Sequence, residues 1–166
     1  MALPTRSCCT PLFHGNQQVV QLLAPSDLCG GDLVPALSLW EPWASLMAVG
    51  AKTIETRSWA TRYRGPLLIC ASKNRSEATL ADDSDFGRAL GSTQLAFGHA
   101  VALVRLYDCE ATIWTGAPSG ERMFGDYSAG RFAWCTDQRR RLRPFPVRGS
   151  QGLFTVRLPD DLEDYE

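Results

Sequence analysis

The run AFGHAVALVRLYDCE (96–110) constrains the fold more than any other part of the chain. Behind Gly98 it carries apolar and β-branched side chains almost without a break, so it reads as a strand. A long strand needs partners to satisfy its backbone, and the sequence offers several short ones. PALSL (35–39) reads as a strand entering the core. LLICA (67–71) follows a Gly-Pro turn and reads as a buried strand. Phe132–Thr136 and GLFTVRL (152–158) close the series, and KTIETRSW (52–59) alternates β-branched with polar residues. Helical patterns are few. EPWASLMAVG (41–50) has proline near its first turn and glycine at its end, with Trp43, Leu46 and Met47 on one apolar face. SEATLADDSDFGRALG (76–91) reads as helical but poorly capped. Several short strands with few helices predict an α+β fold, a small mixed barrel rather than alternating βαβ units.

With 166 residues, 45% of them hydrophobic, the chain suits one domain with a real core. It divides into a loosely structured extension over 1–33, a domain over 34–158 and an acidic C-terminal tail over 159–166. No run approaches the ~18 consecutive apolar residues of a membrane span. The opening residues lack the basic start and continuous apolar core of a signal peptide, so a cytoplasmic protein is expected. The six cysteines include no C-x-x-C pair, which points away from zinc and disulfides and toward buried free thiols at Cys70 and Cys135. No metal, cofactor or glycine-rich phosphate loop is implied. Neither His14 nor His99 stands in a catalytic pattern.

The net charge of −1 hides an uneven distribution. PDDLEDYE (159–166) holds five acids, which reads as a solvated, mobile end. Setting them aside leaves 17 basic residues against 13 acidic ones. RRRLR (139–143) reads as a basic turn following a strand. WTGAPSGERMFGDYSAGRF (114–132) is glycine-rich and long, the composition of a functional loop.

The stretch WEPWASLMAVGAKTIETRSW (40–59) mixes tryptophan with charge in a way a core element would not. Trp40 and Trp43 read as scaffold. Lys52, placed between a helix-ending glycine and a strand, is expected at the mouth of a pocket, where it would meet a phosphate or, partly desolvated, activate a nucleophile. Glu55 and Arg57 share a strand face and form either a structural ion pair or part of a site in which Glu55 orients Lys52. Trp59 and Tyr63 either stack on a base or cover the barrel. With Arg64 and Lys73 they give the basic and aromatic interleaving of a single-strand groove.

These same residues carry a family pattern. Pro42-Trp43-Ala44, Gly50-Ala51-Lys52, Glu55, Arg57, Trp59, Arg64-Gly65 and Ala71-Ser72-Lys73 follow one another as in the ASCH domains (activating signal cointegrator homology), a branch of the PUA-like superfamily. FGDYSAGRFAW and RPFPVRGSQGLFTV resemble the later part of bacterial members, and the resemblance runs from about Ala36 to Leu158. It implies a PUA-like small β-barrel with flanking helices and a cleft beside Lys52. It implies as ligand RNA, single-stranded nucleic acid or a modified nucleoside. It also implies that the loop bearing Asp126 and Ser128 lies near that cleft, offering base or phosphate contacts, although both residue types are ordinary in turns. Two alternatives stay open. One is a hydrolase with Lys52 and Glu55 as catalytic residues, either an amidohydrolase on N4-acetylcytidine-like nucleosides or a ribonuclease. The other is a protein-interaction module. The amidohydrolases of the family have threonine three residues after the lysine; here that position is Glu55.

Overall fold

A computed structural model describes residues 24–113, 118 and 120–165. Its elements run β1 (Leu33–Leu39), α1 (Trp43–Val49), β2 (Ile54–Arg57), β3 (Gly65–Ala71), α2 (Ser84–Leu90), β4 (His99–Ala111), β5 (Phe132–Pro146) and β6 (Leu153–Arg157). All six strands form one sheet in the order β2-β5-β4-β3-β1-β6. β1 and β3 are parallel and every other neighbouring pair is antiparallel. The sheet curls into a half-barrel with two helices against it, an α+β architecture of the PUA-like kind.

Side-chain alternation explains how one sheet buries two sets of residues. On β1, Leu37 and Leu39 face one cluster, together with Ala44, Met47 and Ala48 of α1, Leu67 and Ile69 of β3, and Trp134. Val34 and Ala36 face the other, with Leu68, Cys70, Leu103, Leu142 and Leu158. Every residue of β3 is buried, which is why its sequence shows a continuous apolar run rather than alternation. Trp134 is fully buried at the centre of the first cluster, and its indole N–H donates to the Trp59 carbonyl at 3.2 Å.

α1 ends at Gly50, whose φ of 85° lets its N–H reach the Leu46 and Met47 carbonyls. The next two amides, of Ala51 and Lys52, also donate to Leu46 O, so the chain turns tightly out of the helix and carries Lys52 toward β2. α2 is properly capped, against the sequence reading. Asp83 accepts a hydrogen bond from the Asp85 amide at 2.9 Å, and a short 3-10 turn over Ala78–Asp82 precedes it.

One further expectation is corrected: RRRLR is not a turn. β5 continues through it to Pro146, bulging where Gln138 takes a φ of 47° and the pairing with β4 slips from Arg105↔Asp137 to Leu103↔Arg140. The described acids of the tail are exposed, and the segment nevertheless lies against the domain. Leu162 packs on the second cluster and Asp164 lies opposite Leu142 of β5. Of the N-terminal extension, a turn at Pro25–Asp27 and the buried Leu28 belong to the folded domain, and residues 1–23 lie outside the described residues. No helix among the described residues is long and apolar enough to cross a membrane.

Candidate functional site

The turn after α1 delivers the Lys52 side chain to the interior, although the residue also lines a hollow beside the site. Its side chain is 1% exposed. Nζ donates to the carbonyls of Ile54 and of Phe124, the latter at 2.9 Å, and lies 3.4 Å from Glu55 Oε2. These three partners match the three protons an ammonium carries. Lys52 therefore joins β2 to the 3-10 turn Arg122–Phe124, the part of the glycine-rich loop nearest the strand.

Glu121 strengthens that junction. Buried, it accepts from the Thr53 amide (2.7 Å), the Thr53 hydroxyl (2.6 Å) and the Ile54 amide (3.1 Å). The Thr56 hydroxyl then accepts from the Asp126 amide at 3.1 Å. The edge strand β2 is thus held on its outer side by a loop some 70 residues downstream. The expected approach of this loop to Lys52 is what the structure has.

From Lys52 a charged chain runs outward along one face of β2. Glu55 bridges to Arg57, with Nε 3.2 Å from Oε1, and the Arg57 guanidinium donates to the Ser38 carbonyl at 2.9 Å. Exposure rises along it, from 1% at the Lys52 side chain to 13% at Glu55 and 26% at Arg57. Ser38 sits near the end of β1, where a Cβ on Gly149 would come within 2.8 Å of its hydroxyl, so the loop before β6 closes over it. On the other side Arg131 donates to the Thr56 carbonyl at 3.1 Å and pairs with Asp126 at 3.3 Å.

Four buried side-chain atoms around this strand have no hydrogen-bond partner among the described residues: Ser38 Oγ, Arg57 Nε, Tyr127 Oη and Arg131 Nε. The two guanidinium nitrogens lie at ion-pair distance from a carboxylate without the alignment of a hydrogen bond. Tyr127 packs beside Ile54, Ala133 and Cys135. Burial pushes its hydroxyl up to about 12, and the Glu121 and Glu55 carboxylates add to the shift, so it stays protonated and available as a donor at neutral pH. Ser38 and Arg57 belong to the Glu55 face of β2, and Tyr127 and Arg131 to the Thr56 face.

The remaining sequence candidates scatter. Trp59 packs edge-to-face on Trp134, ring centroids 4.6 Å apart, and half-covers the core. The Tyr63 hydroxyl donates to the Pro66 carbonyl, and burial raises its pKa. Arg64 bonds the Thr61 and Tyr63 carbonyls and pairs with Asp108 at 2.9 Å. Lys73 lies past the opposite end of β3, its stem against Gly98. Seven residues of strand separate it from Arg64, about 20 Å at ordinary strand rise. Asp126 and Ser128 are exposed and form a turn in which Asp126 Oδ1 accepts from the Ser128 amide at 3.0 Å. The Ser128 contacts, then Arg131, hold the Asp126 carboxyl below its ordinary value. Trp40, read as scaffold, is instead 48% exposed.

Sequence reasoning missed Glu121, Arg131 and Ser38. The first two lay in a stretch read as a functional loop in which only Asp126 and Ser128 were singled out, and Ser38 in one read only as strand. Beside the site a hollow of about 250 Å³ lies between the end of α1 and the β5 bulge, lined by Gly50, Lys52, Thr53, Gln138 and Arg139 among others. Among the described residues no group of three or more His, Cys, Asp or Glu is placed to hold a metal ion.

The ASCH domain family model matches residues 37–142, from β1 to the middle of β5, a span that contains every charged residue of this chain of contacts. The protein belongs to the ASCH domain family. It is similar to activating signal cointegrator 1 of Mus musculus, 51% identical over 131 residues, and to that of Homo sapiens, 49% identical over 131 residues. Each alignment takes in 72% of this chain but 22% of the relative, so the chain spans about a fifth of the length of these proteins. This ASCH domain accordingly stands for one part of them.

Proposed function

We propose that this ASCH domain binds RNA, single-stranded nucleic acid or a modified nucleoside in a cleft beside Lys52 along the charged face of β2, with Lys52 as the strut that supports that face and Arg57 as the group that meets the ligand. The observation that carries this reading is the charged face of β2, at whose outer end the Arg57 guanidinium is 26% exposed and its Nε has no aligned hydrogen bond. Phosphate oxygens and base carbonyls are the acceptors such a donor suits. Glu55, 13% exposed between Lys52 and Arg57, is an acceptor for an exocyclic base amine. Trp40, exposed two residues beyond Ser38, replaces Trp59 as the ring on which a base would stack. A lysine whose Nζ is enclosed by two carbonyls and a carboxylate is poorly placed to attack or to take a proton, so binding is favoured over hydrolysis.

The test is fluorescence anisotropy with a labelled single-stranded RNA and its DNA counterpart over a salt series. Affinity should fall as salt rises, and Arg57→Ala should weaken it at least tenfold. Absence of binding at low salt would remove the oligonucleotide reading. Release of acetate from N4-acetylcytidine would instead favour the hydrolase.

A further inference from the structure

We infer that the outer flank of β5 at Arg140–Arg143 is a docking edge for an extended acidic peptide strand, and that residues 162–165 fill it in cis. The edge exists because β5 is longer than its neighbour. β4 pairs with it on one flank at Arg140 and Arg141, whereas on the other flank β2 covers only Phe132–Cys135. Beyond the bulge at Gln138 that flank has no strand of the sheet against it among the described residues.

The acidic segment lies there as a short antiparallel partner. The Arg143 amide donates to the Glu163 carbonyl (2.9 Å), the Tyr165 amide donates to the Arg141 carbonyl (3.1 Å), and Asp164 bridges to Leu142. Side chains read the same segment. Arg140 pairs with Asp164 at 2.6 Å, Arg143 pairs with Glu163, and the Arg141 guanidinium stands 4.0 Å from the centre of the Tyr165 ring. The edge therefore accepts a strand of the order acid, acid, aromatic, by main-chain pairing plus alternate side chains, the logic of strand addition.

Main-chain pairing selects peptide over nucleic acid. A phosphodiester could accept from the Arg143 amide but has no N–H to offer the Arg141 carbonyl. The cis contact is also replaceable. Glu163 and Asp164 remain more than half exposed in their ion pairs, and such pairs are individually weak and salt-screened. A partner carrying a similar acidic, aromatic-ended segment competes for the edge, and the cleft along β2 is not involved.

The experiment keeps the full chain and loosens the segment with Glu163→Lys, Asp164→Lys and Tyr165→Ser. The probe is a fluorescein-labelled peptide of sequence DDLEDY, with a scrambled basic peptide and a 12-nucleotide single strand as controls. The loosened chain should bind the acidic peptide at least tenfold more tightly than the unaltered chain, and adding Arg140→Glu should remove that gain. Circular dichroism establishes that each variant is folded. Arg143→Glu is the second route should the Arg140 variant fail to fold. Equal, weak peptide binding by unaltered and loosened chains would overturn the inference. A gain for the oligonucleotide alone would overturn it in favour of a phosphate-binding strip. A concentration-dependent dimer of the loosened chain with no peptide binding would also overturn it. Since the peptide assay does not use the β2 cleft, either proposal can fail without the other.

Discussion

At the scale of single residues, the burial of Lys52 separates two roles that its sequence position leaves merged. Lysine after a helix-ending glycine suggests a surface contact, yet Nζ sits among Ile54 O, Phe124 O and Glu55. The motif positions were readable; the direction of the side chain was not, because two of its partners come from a turn 70 residues away and from the backbone. Lys52→Met is expected to destabilise the fold by about 3–5 kcal/mol, since it leaves the buried Ile54 and Phe124 carbonyls without their donor and Glu55 with Arg57 as its remaining cation. Urea unfolding measures this, and a loss below 1 kcal/mol would mean the strut is dispensable. Arg57→Ala, at the exposed end of the same chain, should leave stability within about 1 kcal/mol while weakening nucleic-acid affinity. The two exchanged tryptophan roles give a second prediction. Trp40→Ala should weaken oligonucleotide binding by about 1–3 kcal/mol with little change in stability, whereas Trp59→Ala should lower stability through its contact with Trp134. A Trp40 variant that binds like the unaltered chain would remove that ring from the interface. The thiols form a third case, since a free cysteine in an apolar run could be inferred from sequence. Burial pushes Cys70 up to about 12. It also pushes Cys135 up to about 11, with help from the Glu110 and Asp108 carboxylates. Both remain thiols at neutral pH, so iodoacetamide should spare them in the native chain and reach them after denaturation.

At the scale of elements, the local ones were legible because their information is local. α1 carries its own start and stop in Pro42 and Gly50, and β3 declares itself by an unbroken apolar run. β5 was cut short because its arginines show no apolar alternation apart from Leu142. Their partners are distant: Ala48 for Arg139, Leu28 for Arg140 and Thr93 for Arg141. The stretch 114–132 was read as a functional loop from its composition, but its anchoring through Glu121 could not be read. Glu121→Gln should weaken three hydrogen bonds to Thr53 and Ile54, costing about 1–3 kcal/mol and speeding amide exchange at both positions. Unchanged exchange there would show that Phe124 and Lys52 hold the loop without it. The Asp126 turn adds a pH dependence. Its carboxyl titrates below the ordinary 3.8, because the charged form accepts from Ser128 and faces Arg131. The stabilisation is therefore complete above 3.8 and is lost only as pH falls through the lower, folded-state value. An NMR titration of the Ser128 amide should show a midpoint below 3.8; a midpoint at or above it would contradict the contact.

At the scale of the whole molecule, the two buried clusters lie on opposite faces of one sheet and are connected through every central strand. β4 shows this within four residues, since Leu103 belongs to one cluster and Val104 and Leu106 to the other. Chain order conceals such sharing: β2 and β5 pair across 75 or more positions, and β6 returns to pair with β1. The barrel class could be inferred from short strands and scarce helices, but the order β2-β5-β4-β3-β1-β6 could not. If the clusters act as one core, damage to either must lower the stability of both. Leu103→Ala and Leu106→Ala, each removing a side chain fully buried in a different cluster, should each cost about 2–5 kcal/mol. Each should also leave a single unfolding transition, with near-ultraviolet signal from Trp134 in one cluster and amide exchange at Leu142 in the other changing together. Should Leu103→Ala release Leu142 while Trp134 stays packed, the two faces would be separate cooperative units. The β5 edge and the β2 cleft would then belong to parts of the protein that can open independently.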